Sequence, residues 1–397
     1  MALSRPVYIV AARRTAFGAF GGKLRDVSAT DLGAKTTQAV LEDAKLDPAH
    51  VKSVIFGNVI QSSADAAYLS RHIALKAGIP IESTALTVNR LCGSGFQSLV
   101  NACQEILLGD ADIVVAGGTE SMSQAPFAVR NARWGINLGE DRKMEDTLWT
   151  GLTDAYVGLP MGITAENLAT QYGITRLDCD EFALASQTRW GEAHSAGNFT
   201  AEIAPMDIKV KRKVVSFDTD EHPRAGVTLE QLQKLPAVFK KNGTVSPGSA
   251  SGICDGAASL LVASEEACAQ HNLTPLAKVV SYGIAGVDPS IMGIGPCPAI
   301  KLALKNANKS LTDMALVEVN EAFAAQYLAV EKELGLDRSI TNACGGAIAL
   351  GHPLGTSGNR IIAHLTHALK RTGDEFAVGS ACIGGGQGIA VILENVK

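Results

Sequence analysis

Val88-Asn89-Arg90-Leu91-Cys92-Gly93-Ser94-Gly95-Phe96-Gln97-Ser98 is the stretch on which the reading of this chain turns. It follows a short apolar run from Leu86 and opens a helical pattern, with Phe96, Leu99, Val100, Cys103, Ile106 and Leu107 on one face. Gly109-Asp110 should end that helix, and the run 113–116 reads as a buried strand followed by a turn at Gly117-Gly118. Cys92 therefore falls where a strand hands over to a helix N-terminus. Unpaired N–H groups and the helix dipole at such a place favour a thiolate and lower its pKa. The plainer reading is a small buried hydrophobe. Flanking glycines, which let a substrate approach the backbone, weigh toward the nucleophile.

The bulk numbers narrow the field. A chain of 397 residues can bury two or three sizeable cores. A net charge of −5, with no long basic block, argues against nucleic acid as partner. No apolar run approaches the roughly 18 residues of a membrane span. The eight cysteines are scattered without a CxxC pair, which points to reduced thiols rather than a zinc or disulfide framework. Arg5, Arg13, Arg14, Lys23 and Arg25 precede the first acid, Asp26. That bias suits mitochondrial targeting, but Val7-Tyr8-Ile9-Val10-Ala11 reads as a core strand, so any signal would be an uncleaved part of the fold. Cytosol and peroxisome are the alternatives.

Along the chain, landmarks recur in order. Asn58 after one strand matches Asn320 after another, Cys92 matches the His352 loop, Gly109-Asp110 matches Gly373-Asp374, and Gly117 matches Gly379. All four offsets lie between 260 and 264 residues, which implies an internal duplication. Each half reads as alternating strands and helices, hence α/β with mostly parallel crossover units. Residues 120–248 break that rhythm with helical patterns, long polar loops and the basic cluster Lys209, Lys211, Arg212 and Lys213, taken as a solvated face. The expected organisation is a first core half at 1–119 completed by 249–272, an inserted loop domain at 120–248, and a second core half at 273–397. Packing two such halves together would set the His352 loop beside Cys92, with Asn320 and the Cys382 loop close by.

These residues carry a resemblance. Leu91-Cys92-Gly93-Ser94-Gly95, Asn320-Glu321-Ala322-Phe323, the run from Gly345 to Pro353, and Cys382-Ile383-Gly384-Gly385-Gly386-Gln387-Gly388 resemble the active-site blocks of the thiolase family. The segment Ala250-Ser251-Gly252 with Asp255-Gly256-Ala257 is similar to that family's coenzyme A segment. The resemblance covers essentially the whole chain and, within the family, leans to its degradative members. It implies the thiolase fold, with two duplicated α/β core halves in five layers, an inserted loop domain, and a homotetramer built as a dimer of dimers.

It also implies thiolytic cleavage of 3-ketoacyl-CoA to acetyl-CoA and a shortened acyl-CoA in fatty-acid β-oxidation, with coenzyme A as co-substrate and no permanently bound cofactor or metal. Cys92 would be the nucleophile and His352 its base, Asn320 would hold a water, and Cys382 would be the acid/base. The amides of Cys92 and Gly384 would form an oxyanion site of the kind worth about 3–4 kcal/mol per donor. Ser251, Arg224 and Thr228 would touch coenzyme A, Thr228 standing in for a hydroxyl missing at Val227. Met161 and Met292 would be flexible walls of the acyl site. Leu159-Pro160 precedes Met161-Gly162 where acetoacetyl-specific members have a histidine, which fits longer acyl chains. Taken singly, Asn320 reads equally as a strand-end cap, His352 as a turn histidine and Arg224 as a solvated charge. The competing functions are a biosynthetic acetoacetyl-CoA thiolase and a non-catalytic CoA- or lipid-binding relative. Slow acyl-CoA hydrolysis is expected as a side reaction when water replaces the second CoA.

Overall fold

The computed structural model describes residues 3–210 and 212–397. Strand β1, Val7–Arg14, precedes helix α1, Ala29–Ala44, which begins where the Ser28 side chain accepts from the Asp31 amide. Then come β2 (Ser53–Gly57), α2 (Leu69–Lys76), β3 (Thr84–Val88), α3 (Ser94–Leu108) and β4 (Ile113–Ser121). The region expected to be an insertion carries α4 (Met161–Tyr172) and α5 (Arg176–Ser195). Beyond it lie β5 (Cys254–Ser264), β6 (Ala277–Gly286), α6 (Pro296–Ala307), β7 (Leu316–Val319) and α7 (Ala324–Leu334). Helix α8 (Ser357–Thr372) and strands β8 (Phe376–Ile383) and β9 (Gln387–Asn395) close the chain. Lys211 of the basic cluster lies outside the described residues; Lys209, Arg212 and Lys213 are exposed, as a solvated face requires.

The duplication is visible in the topology. One ten-stranded sheet runs β7-β8-β9-β6-β1-β5-β4-β2-β3, with the short strand Gly18–Ala19 pairing β5 off this path, so the order β1-β5-β4-β2 of the first half is repeated as β6-β9-β8-β7 in the second. The halves join where β1 pairs antiparallel with β6, through Tyr8↔Lys278 and Ile9↔Ala277. Helices α3 and α8 pack on each other and on strands of both halves; α1 and α2 cover the outer face of the first half, and α6 that of the second. That gives five layers, with the largest apolar cores between them. The middle core joins Phe96, Leu99 and Ile106 of α3 to Ile361, Leu365 and Leu369 of α8.

Glycine makes this central contact possible. A Cβ at Gly358 would strike the backbone at Gly95-Phe96, and one at Gly95 would strike Asn359, so the N-termini of α3 and α8 cross closer than any side chain allows. Asn359 then hydrogen-bonds Ser98 across the crossing.

Two sequence expectations need correction. Gly117-Gly118 is no turn: both residues sit inside β4, paired with Ser259 and Ala258 of β5. They are glycine because the Phe56 ring and the Gly355 carbonyl occupy the space of their missing side chains. The sheet is also mixed rather than mostly parallel. Parallel pairing holds for β2–β3, β2–β4 and β7–β8, while β4–β5, β5–β1, β6–β9 and β8–β9 are antiparallel. The physical reason lies in the connections. Residues 384–386 form a tight hairpin with φ of 76° at Gly385 and 80° at Gly386, and a hairpin can only return the chain antiparallel.

Candidate active site

Cys92 lies between β3 and α3, as its sequence context predicts. The turn that aims it is strained, because Leu91 holds φ at +47°, a region costing a branched residue about 1–3 kcal/mol. Local hydrogen bonds hold it there. Asn89 Oδ1 accepts from the Leu91 amide at 2.9 Å, and the Ser94 hydroxyl donates to the Leu91 carbonyl at 2.7 Å while accepting from the Arg90 amide at 2.8 Å.

The close crossing of α3 and α8 brings the second half's loop alongside. Asn320 Nδ2 lies 3.3 Å from His352 Nε2, and His352 Nδ1 lies 2.6 Å from the Ser357 hydroxyl. An amide N–H can only donate, so Nε2 carries the lone pair and Nδ1–H donates to Ser357, whose own hydroxyl donates to the Pro353 carbonyl at 3.2 Å. The lone pair of Nε2 is thus the one available to a thiol. Asn320 Oδ1 is buried without a hydrogen-bond partner among the described residues, a free acceptor at the same place.

The N–H groups of Gly384 and of Cys92 itself both point at the Cys92 sulfur. Cys382 is fully buried and packs with Met292 and Ala322, with Met161 and Phe323 against them. Cys92, His352, Ser251, Met161 and Met292 all line one cavity of about 270 Å³, closed by Trp149, Leu152, Pro160, Phe239 and Phe323. The Trp149 and Phe239 rings lie 6.5 Å apart and nearly parallel. Arg224 and Thr228 are not brought into this cavity. Arg224 is exposed in a separate groove with Gln187, Trp190 and Val227, and the Thr228 hydroxyl accepts from the Gln231 amide as a helix cap.

The electrostatics reverse one expectation. Burial pushes the Cys92 thiol up to about 11, outweighing the two amide hydrogen bonds that favour the thiolate. Burial, helped by the Arg360 guanidinium, likewise drops His352 to about 3. Cys382 is raised by burial and then by the neighbouring Cys92. The unliganded site is therefore a neutral thiol–imidazole pair, ready for proton transfer, and the helix N-terminus does not by itself make a thiolate.

Sequence reading passed over four contributors. Ser357 fixes the His352 tautomer, and its only sequence signal is its place five residues on, in the same glycine-rich loop. Glu120, raised by burial to about 7, accepts from Asn58 Nδ2 and from the amides of Val59, Ile60 and Gly355, clamping the His352 loop to the first half. Trp149 comes from a short helix at Thr147–Gly151 and Phe239 from a distant loop, and neither carries a local pattern.

Fold and site together define an acyl-transferring enzyme, with a buried cysteine set where two halves of a duplicated α/β core meet. Family models agree. The thiolase N-terminal domain matches residues 7–266 and the thiolase C-terminal domain matches residues 273–395, so the chain belongs to the thiolase family. It is 61% identical to mitochondrial 3-ketoacyl-CoA thiolase of Mus musculus and of Homo sapiens, over 395 residues and all of each chain. The crystal structure of the human mitochondrial enzyme in complex with CoA superposes with a TM-score of 0.97, covering 100% of this chain and 99% of that one at 61% identity. The acetyl-CoA acetyltransferase of Bacillus anthracis, at 46% identity and 99% coverage of each chain, gives 0.96.

Proposed function

We propose that this chain is a degradative thiolase, an acetyl-CoA C-acyltransferase that cleaves 3-ketoacyl-CoA with CoA to give acetyl-CoA and a shortened acyl-CoA. One observation carries the reading above the others. The Cys92 sulfur, two converging amides and a lone-pair imidazole nitrogen meet at an apolar cavity, with a second buried thiol packed behind its Met292 and Ala322 wall.

In the first half-reaction His352 Nε2 takes the Cys92 proton and the sulfur attacks the 3-keto carbon. The developing oxyanion is held by the Cys92 and Gly384 amides. As the C2–C3 bond breaks, its electron pair forms the enolate of acetyl-CoA, whose thioester oxygen faces His352 and a water on Asn320. Cys382 gives its proton to C2, and acetyl-CoA leaves. In the second half-reaction the Cys382 thiolate takes the proton of the incoming CoA thiol. The CoA sulfur attacks the acyl-Cys92 thioester, and Cys92 departs. Each group returns to its starting protonation state.

Ser251 stands on the cavity wall for the pantetheine arm, with Met161 and Met292 as deformable walls against the acyl chain. Arg224, exposed in its own groove, is assigned to the CoA phosphates, and Thr228 to a neighbouring contact through its remaining O–H. Pro160 on the wall, in place of a polar side chain, favours acyl chains beyond the shortest. The reaction belongs to fatty-acid β-oxidation, and the mitochondrial relatives support the same compartment here.

The domain division given above, 1–119 with 249–272, 120–248 and 273–397, is supported by the repeated strand order. A homotetramer is supported by two exposed features. Edge strand β3 leaves Leu86 47% exposed, and the segment from Phe127 to Leu138 shows Trp134 at 94% exposure.

Steady-state thiolysis over a series of 3-ketoacyl-CoA substrates tests the reading. Turnover of medium-chain substrates alongside acetoacetyl-CoA is expected; turnover of acetoacetyl-CoA alone would leave the biosynthetic assignment.

A further inference from the structure

Of the eight cysteines, seven are buried, and Cys344, in the segment between α7 and α8, is the half-buried one. It stands outside the catalytic cavity and within a row of polar groups. Asn198 Nδ2 donates to its sulfur at 3.7 Å, and the His364 ring of α8 hydrogen-bonds the same sulfur. His364 Nδ1 lies 2.8 Å from the buried carboxylate of Glu202, which also accepts from Arg14 Nε at 2.7 Å. Arg14 is paired in turn with Asp220. The cluster therefore holds two buried carboxylates against one guanidinium, and His364 supplies the balancing cation. Arg371 and Glu318 are the other charged groups that bear on the pair.

The charges set the protonation states. Burial alone would lower His364, but Glu202 outweighs it and holds the imidazolium up to about 10. Burial likewise raises Cys344, yet the hydrogen bond and charge of His364, with Asn198 and Arg371, bring this thiol below its ordinary value. That is the reverse of Cys92, whose histidine partner is neutral.

We propose that Cys344 is a peroxide-reactive sulfur with His364 as its proton partner, and thus a modification site distinct from the catalytic thiols. The sulfur attacks one oxygen of a hydroperoxide and the O–O bond breaks. Sulfur loses two electrons and becomes a sulfenic acid. The peroxide oxygen that departs takes the His364 proton and leaves as water when the oxidant is hydrogen peroxide. The competing role is an inert side chain packed against the Trp190 and Phe199 core.

Treating the intact protein at neutral pH with hydrogen peroxide and dimedone, then mapping every cysteine by mass spectrometry, distinguishes the two. Dimedone is expected on Cys344 and absent from Cys103, Cys179 and Cys268. The Cys344 labelling rate should fall about tenfold in His364→Gln as the cationic hydrogen-bond partner is lost. Asn198→Ala, which leaves every buried ion pair intact, should slow it about threefold and decides the matter where His364→Gln does not fold. An unlabelled Cys344, or labelling at an unchanged rate in these variants, overturns the proposal.

Discussion

Four side chains were legible only through their blocks taken together: Cys92, Asn320, His352 and Cys382 each sit in a short glycine- or polar-rich block that carries the family resemblance, and Asn320 and the His352 loop lie close to each other as the duplication implied. What local sequence misjudged was the sign of the Cys92 shift. A helix N-terminus stabilises a thiolate, but near-complete removal of water costs more, and three-dimensional burial has no local signature. Ser357 was illegible for a related reason, since a tautomer depends on which atoms meet. The neutral resting pair has a pH consequence. Because the thiol is raised rather than lowered, iodoacetamide alkylation of Cys92 in the unliganded protein should keep rising with pH from neutrality through the usual thiol range. A rate already at its plateau near neutral pH would show a preformed thiolate and contradict the neutral pair.

Among the elements, long periodic helices were readable: α3 buries Phe96, Leu99, Val100, Cys103 and Ile106, and it ends at Gly109 in the left-handed region, as its pattern required. Strand direction was not. Alternating strands and helices suggest parallel crossovers, but the return strands β5 and β9 arrive through an insertion and a hairpin, and neither connection announces direction in its hydrophobic pattern. Gly117-Gly118 misled because a glycine pair usually breaks a strand; here it admits the Phe56 ring and the Gly355 carbonyl. Edge strand β3 carries the prediction at this scale. Its outer edge has no neighbour in the sheet, and Leu86 and Ile81 are exposed beside it. Leu86→Lys should therefore shift the assembly toward smaller species in light scattering with the fold retained by circular dichroism. An unchanged molar mass would move the interface elsewhere.

For the whole molecule, the duplication is what makes a site. The first half supplies a strained turn bearing Cys92, and the second supplies Asn320, His352, Cys382 and the Gly384 amide. Glu120 and the glycine crossing of α3 with α8 hold the two together. On the proposed mechanism, neither half alone has both a nucleophile and the means to stabilise a departing carbanion. The internal repeat was readable at residue offsets, whereas the cavity walls from Trp149 and Phe239 were not, because they come from segments that no repeat relates. The most direct measurement is acyl-enzyme trapping. Wild type, Cys92→Ser and Cys382→Ser are mixed with a 3-ketoacyl-CoA in the absence of free CoA, and their peptides are read by mass spectrometry. Wild type should carry the shortened acyl group on Cys92 with stoichiometric release of acetyl-CoA; Cys382→Ser should carry part of it, and Cys92→Ser none. An acyl group on another residue, or wild-type protein that never acylates, would contradict Cys92 as the nucleophile.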